Sequence, residues 1–309
     1  MNRFLIGLTL LLLLPVGLVH ARQSGSQYDS DVSHLPDVIA RDIEAWRDRL
    51  ETAVCLKVVF DAKETWTKLH ERDAEGRPVT AHQEHYQVHS WMTPEMVWMV
   101  IFQYDGDVVD LTTPRFQMLW KKQDATVWER AWLEEEHMYR ARRRDCSTPF
   151  GPEQGGYPSR GCIYATGMTS WLAGGQDLSS RSITVASVGL LRSPNIAIVP
   201  PDPSRDGVWL DVFSDTLVRD LFPDDDRDLY RRNDLMLLAR NDAGEPEVRE
   251  WRTNVLTDPE FDGKQPQQIT AIRRMTYTFH PSAPAELLER VAAFIEEVHP
   301  AGTAPIHAP

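Results

Sequence analysis

The sequence predicts an α+β protein: an antiparallel sheet flanked by one helix from each end of the chain. Three observations carry this. An amphipathic stretch at 35–54 precedes the first strand, a series of alternating apolar segments joined by short polar turns follows, and a second amphipathic stretch, PAELLERVAAFIEEV, comes last. Runs of strands segregated from helices point to α+β rather than to an alternating α/β architecture.

The first helix follows from Val38, Ile39, Ile43, Trp46 and Leu50, which recur at three- and four-residue steps and make one apolar face. Asp37 and Asp42 favour its N-terminal half through the helix dipole. The period then changes to two. CLKVVFDAKETWTKL is rich in Val, Phe, Thr and Trp, as strands are. ERDAEGRP, with Gly76 and Pro78, is a turn, and HYQVHSWM is the next strand. MVWMVIFQY is the strongest strand, ended by the hairpin signal Asp105-Gly106. DVVDLTT and FQMLWKK continue the series. TVWERAWLEEEHMYRARRR reads as a strand turning into a helix, since Trp128, Trp132, Glu135 and Tyr139 share a helical face.

Later elements are sparser. SITVASVGLL is a strand or short helix, VWLDVF a strand, and DTLVRDLF a short helix stopped by Pro223. LMLLARN and VREWRTNVL flank Asp242-Ala243-Gly244 as a hairpin, and ITAIRRMTYTFH is the last strand. The final helix starts near Pro284 and aligns Leu287, Leu288, Val291, Phe294 and Ile295.

The ends suggest export. Arg3, the apolar run Phe4 to Leu14, Pro15 and the small-x-small site Val19-His20-Ala21 form a signal-peptide pattern over residues 1–21. Residues 22–34 and 300–309 read as disordered, and 35–299 as one domain with a loop-rich insertion at about 140–207. The net charge of −13 argues against nucleic-acid and anionic-membrane partners. Cys146 and Cys162 bracket a Gly-, Pro- and Ser-rich loop, so export would allow a Cys146–Cys162 disulfide, with two free thiols as the alternative. Cys55 lies in an apolar run and reads as a buried thiol.

Candidate sites are few. HQEHYQVHSW holds His82, His85 and His89. On a strand only His85 and His89 share a face, so a zinc site would need a third ligand from elsewhere. No HExxH, GxSxG or phosphate-loop signature occurs. MVWMVIFQY is apolar on both faces, one formed by Met96, Trp98, Val100, Phe102 and Tyr104. A strand of this kind is covered on both sides. With Trp120 nearby, these residues are candidate lining of an adaptable apolar pocket.

Over about residues 37–132 the pattern resembles the periplasmic lipoprotein carriers of the LolA/LolB type. The stretches that carry the resemblance are IARDIEAWRDRLETAVCLKVVF and EMVWMVIFQYDGDVVDLTTPRFQMLWKK. The resemblance implies a strongly curved, half-barrel-like sheet packed against the N- and C-terminal helices. It also implies a periplasmic or extracellular, non-enzymatic carrier of an apolar or amphipathic, lipid-like ligand such as lipoprotein acyl chains, with no cofactor and with envelope proteins as partners. The chain departs from that family in its length and in the 140–207 insertion. Two other expectations stand beside it: an exported metal-dependent hydrolase built on His85 and His89, and a structural envelope protein without a ligand.

Overall fold

The structure, a computed structural model, describes residues 32–121, 126–133, 138–145, 191, 196–199, 207–213, 230–257 and 267–298. Helix α1 (Asp37–Glu51) leads into strands β1 (Cys55–Arg72), β2 (Pro78–Met92), β3 (Met96–Asp105), β4 (Val108–Val109), β5 (Phe116–Lys121), β6 (Thr126–Leu133) and β7 (Met138–Asp145). After these come β8 (Ala197–Val199), β9 (Val208–Phe213), β10 (Tyr230–Arg240), β11 (Pro246–Thr257), β12 (Gln267–His280) and helix α2 (Ala285–Val298). Among the described residues the strands form one twelve-stranded, unclosed sheet in the order β7-β6-β5-β3-β2-β1-β12-β11-β10-β9-β8, with β4 paired to β3. Every pairing is antiparallel.

The two halves of the chain meet where β1 pairs with β12, from Cys55–His280 to Lys68–Gln267. Each side of this seam is a meander, joined by turns whose chemistry the sequence supplies. The β1–β2 turn is fixed by Asp73, which accepts from Arg77 N at 2.8 Å and Arg77 Nε at 3.0 Å. Gly76 there has φ 77°, a backbone conformation that other residues rarely adopt. A bulge in β11 skips Arg249, so that Val248 and Trp251 face the same core.

Alternation sends side chains to two faces. The first face carries Leu56, Val58 and Ala62 of β1, Tyr86, Val88 and Met92 of β2, and Val97, Met99 and Ile101 of β3. These join Ile43, Trp46 and Leu50 of α1 in the main apolar cluster. Trp46 meets Tyr277 edge-on at 4.8 Å, and Arg49 donates to Pro246 O at 2.9 Å. The second face carries Trp98, Val100 and Phe102 of β3 and Leu119 of β5, clustered with Leu287, Val291 and Phe294 of α2.

Several sequence expectations need correction. The stretch 126–144 does not turn into a helix: β6 and β7 pair from Thr126–Asp145 to Leu133–Met138. Its Trp and Tyr residues serve a hairpin, in which Trp132 and Tyr139 oppose each other at 5.0 Å. DVVDLTT shrinks to the two residues of β4, and β8 was not foreseen. Val32, inside the 22–34 segment expected to be disordered, is buried with Leu35 in the main cluster. The signal-peptide segment, Cys146, Cys162, SITVASVGLL apart from its last residue Leu191, DTLVRDLF and the tail 300–309 lie outside the described residues.

Candidate functional site

Register places the expected pocket residues. Trp98, Val100 and Phe102 are paired in β2 with Trp91, His89 and Gln87, and all six point to the second face. Trp98 is buried and meets Phe294 of α2 edge-on, with ring centroids 4.7 Å apart. Met96 packs at the margin of the same cluster. Arg130 of β6 pairs with Glu297 near the end of α2, anchoring the helix over this face. The apolar face of β3 is therefore filled by three side chains of one helix.

Tyr104 and Trp120 do not join this group. Trp120 is the registered partner of Val97, not of Trp98, so it points to the first face. Tyr104 lies beyond the apolar stretch and stacks on His85 at 3.4 Å. Its hydroxyl donates to Asp61 Oδ2, and Asp61 Oδ1 lies 3.2 Å from His85 Nε2. Burial, then the hydrogen bond and charge of Asp61, push the Tyr104 phenol up to about 12.

The histidines separate. His85 is engaged with Asp61, and His89 Nε2 lies 2.7 Å from Gln87 Oε1. Burial holds His89 below the usual imidazole range, aided by the charges of Lys57 and Arg290. His82 points to the other face, where its Nε2 is 2.6 Å from Glu84 Oε1. Among the described residues no group of three or more His, Cys, Asp or Glu could hold a metal ion.

The first face holds a polar group that sequence reasoning missed. Asp234, Thr253, Ala271, Glu64 and Glu84 are successive register partners across β10, β11, β12, β1 and β2. One step along the strands lie Trp251, Arg273, Ala62 and Tyr86. Glu64 and Asp234 have no exposed surface, and Glu84 retains 3%. Asp234 Oδ1 accepts from Trp251 Nε1 at 2.8 Å and Thr253 Oγ1 at 2.7 Å, and Arg273 Nη1 donates to Thr253 Oγ1 at 3.1 Å. Burial pushes Glu64 up to about 8; the Glu84 charge adds to this, while Arg273, the hydrogen bond from Trp66 and the nearby Tyr86 hydroxyl oppose it. Burial also raises Glu84, against the pull of His82. The available signal was an acid in phase with apolar alternation: Leu56, Val58, Phe60, Ala62, Glu64.

An open depression of about 450 Å³ lies elsewhere, bordered by Leu237, Glu247, Arg249, Glu250, Arg274, Met275 and Thr276. Its acid Glu250 accepts from Arg252 Nε at 2.7 Å and Arg274 Nε at 3.4 Å.

No helix among the described residues is long and apolar enough to cross a membrane, which leaves strand-built spanning untouched. No family model and no curated protein matches the chain. Among solved structures, lipovitellin, from a structure concerned with lipid–protein interactions, aligns at 7% identity and a TM-score of 0.20. That alignment covers 76% of this chain and 26% of lipovitellin, so the chain spans about a quarter of it. MucB in complex with MucA(peri) aligns at 10% identity and a TM-score of 0.13, over 82% of this chain and 96% of MucB. Likenesses at this level are too weak to establish a shared fold with either protein or with the lipoprotein carriers.

Proposed function

We propose that the protein is an exported, non-catalytic binding or carrier protein for an apolar or amphipathic, lipid-like ligand held between the sheet and its helices. One observation carries this reading: the aromatic second face of β3 is closed by the three buried side chains of α2, a single helix at the end of the fold. Met96, Trp98, Val100 and Phe102 are the proposed lining. A ligand that displaces Leu287, Val291 and Phe294 finds a ready apolar surface, at about 0.8 kcal/mol per buried CH₂. In this reading the unclosed sheet bends as a half-barrel around its helices, residues 1–21 direct export, and a Cys146–Cys162 bridge suits the exported compartment.

Native mass spectrometry of protein purified from its exported fraction, run beside an organic extract, tests the reading. The expected result is a co-purifying acyl or lipid mass that disappears on extraction. A bare protein mass would point instead to a ligand-free envelope role, and a zinc-shifted mass to hydrolase chemistry. Phe294→Ala should loosen the closure and change ligand retention, while costing stability on the order of 3–5 kcal/mol by cavity formation.

A further inference from the structure

The face that packs on α1 carries two acids whose bonding is incomplete. Glu64 Oε1 accepts from Trp66 Nε1 at 3.0 Å, and Glu84 Oε1 meets His82 Nε2 at 2.6 Å. The other oxygen of each, Oε2, is buried and has no hydrogen-bond partner among the described residues. Glu64 and Glu84 are direct register partners on adjacent antiparallel strands. Such partners have Cβ atoms about 4.5–5.5 Å apart, so the two carboxyl groups share one small volume. Neighbouring Asp234 is different, because Trp251 and Thr253 both donate to it.

Buried acceptors without donors are rare because they forgo the hydrogen bonds that water would make. We propose that Glu64 and Glu84 form a binding site for a primary ammonium group. An ammonium brings three donors on one small head and can reach both Oε2 atoms at once. Its charge suits a strip in which Glu64, Glu84 and Asp234 outnumber the guanidinium of Arg273 among the described side chains of these register rows. Trp66 and Tyr86, on the same face of β1 and β2, supply aromatic surface of the kind that attracts cations. His82, hydrogen-bonded to Glu84 and with its side chain 44% exposed, marks the side from which a ligand enters. The site lies on the opposite face from Trp98, so it does not rest on the carrier reading.

Binding has a proton consequence. Burial keeps Glu64 in its carboxylic acid form near neutral pH. An arriving ammonium favours the carboxylate, so R–NH₃⁺ and Glu64–COOH become an ion pair, and the carboxyl proton passes to solvent.

Isothermal titration of the full chain at neutral pH tests this with n-butylammonium, n-decylammonium, tetramethylammonium and n-butanol as probes. Both primary ammonium probes should bind, and the two controls should bind at least about tenfold more weakly, the equivalent of one charged hydrogen bond. Equal affinity for the butyl and decyl probes indicates a free amine as the ligand class; a tighter decyl probe indicates a lipid-type amine. Binding enthalpies in buffers of different ionisation heat should show net proton release by the wild type and none by Glu64→Gln. Glu84→Gln, judged folded by circular dichroism, should weaken ammonium binding about tenfold or more by the same arithmetic. Absence of ammonium binding, equal binding of butanol, or binding without proton release would overturn the proposal. The wild-type measurements stand even if a variant fails to fold.

Discussion

At the scale of single residues, Glu64 is the position where the sequence strains against its environment. Its neighbours along the face, Ala62 and Tyr86, are buried, and so is the acid itself. A carboxyl held up to about 8 in the folded protein, against an ordinary value of 4.5, binds its proton more tightly when folded than when unfolded. The stability from neutral Glu64 is therefore complete below about pH 4.5 and is lost as pH rises towards 8. At roughly 1.4 kcal/mol per pKa unit, the loss is on the order of a few kcal/mol. Urea midpoints measured across this window should fall with pH in the wild type, and Glu64→Gln should flatten much of that decline. An unchanged slope in the variant would show that other groups control it. Glu64 was visible in the sequence as an acid within an apolar alternation, but its partner Glu84 was not assignable. Their meeting depends on the β1–β2 register, which is set by a bulge at Trp66–Thr67 and by the Asp73 turn. The surroundings of the candidate metal ligands were hidden for the same reason: strand direction was legible, but the engagement of His85 with Asp61 and of His89 with Gln87 was not.

At the scale of elements, local pattern was reliable where one period held for a long stretch. The expected helix at 35–54 is α1 at Asp37–Glu51, and MVWMVIFQY is the core of β3. The β6–β7 hairpin was lost because the spacing of Trp128, Trp132, Glu135 and Tyr139 imitates a helix face, whereas the strand choice is made by pairing across Arg130–Ala141 and Trp132–Tyr139. Segment β9 shows how narrow such pairing can be. Gly207, just before β9, has φ 146°. A Cβ there would lie 2.8 Å from both Leu237 Cδ1 and the Leu238 carbonyl oxygen, and 3.1 Å from Ala239 Cβ. The backbone carbonyl cannot swing aside as a side-chain tip can. Gly207→Ala should thus push β9 off β10 and destabilise the protein by about 1–3 kcal/mol, as strained backbone positions do. Hydrogen exchange should show the change first in Val208–Leu210. Wild-type protection there would mean that the strand shifts without loss.

At the scale of the whole molecule, the controlling feature is the seam between β1 and β12. It was not legible from sequence, because nothing in either strand names the other and about two hundred residues separate them. The two sides differ in kind from ordinary domains. The first half supplies β7-β6-β5-β3-β2-β1 and the second supplies β12-β11-β10-β9-β8, so each would end in a long unpaired strand if it stood alone. Exposed edges of that length promote association with other chains. Helix α1 reinforces the dependence: it belongs to the first half, yet Trp46 packs on Tyr277, Arg49 donates to Pro246 O, and Asp42 pairs with Arg240. In return α2, from the second half, covers Trp98 and Phe102 of the first. Cutting the chain after Asp145 should therefore give two fragments that are aggregated or unfolded separately but recover a single cooperative transition when coexpressed. Pairing across so long a separation also makes the seam slow to form, so refolding of the intact chain should lag behind that of local hairpins. Thermal melts of the separate and coexpressed fragments decide the matter. A first fragment that melts cooperatively alone, with native near-ultraviolet signal from its tryptophans, would show that the seam joins two independent units.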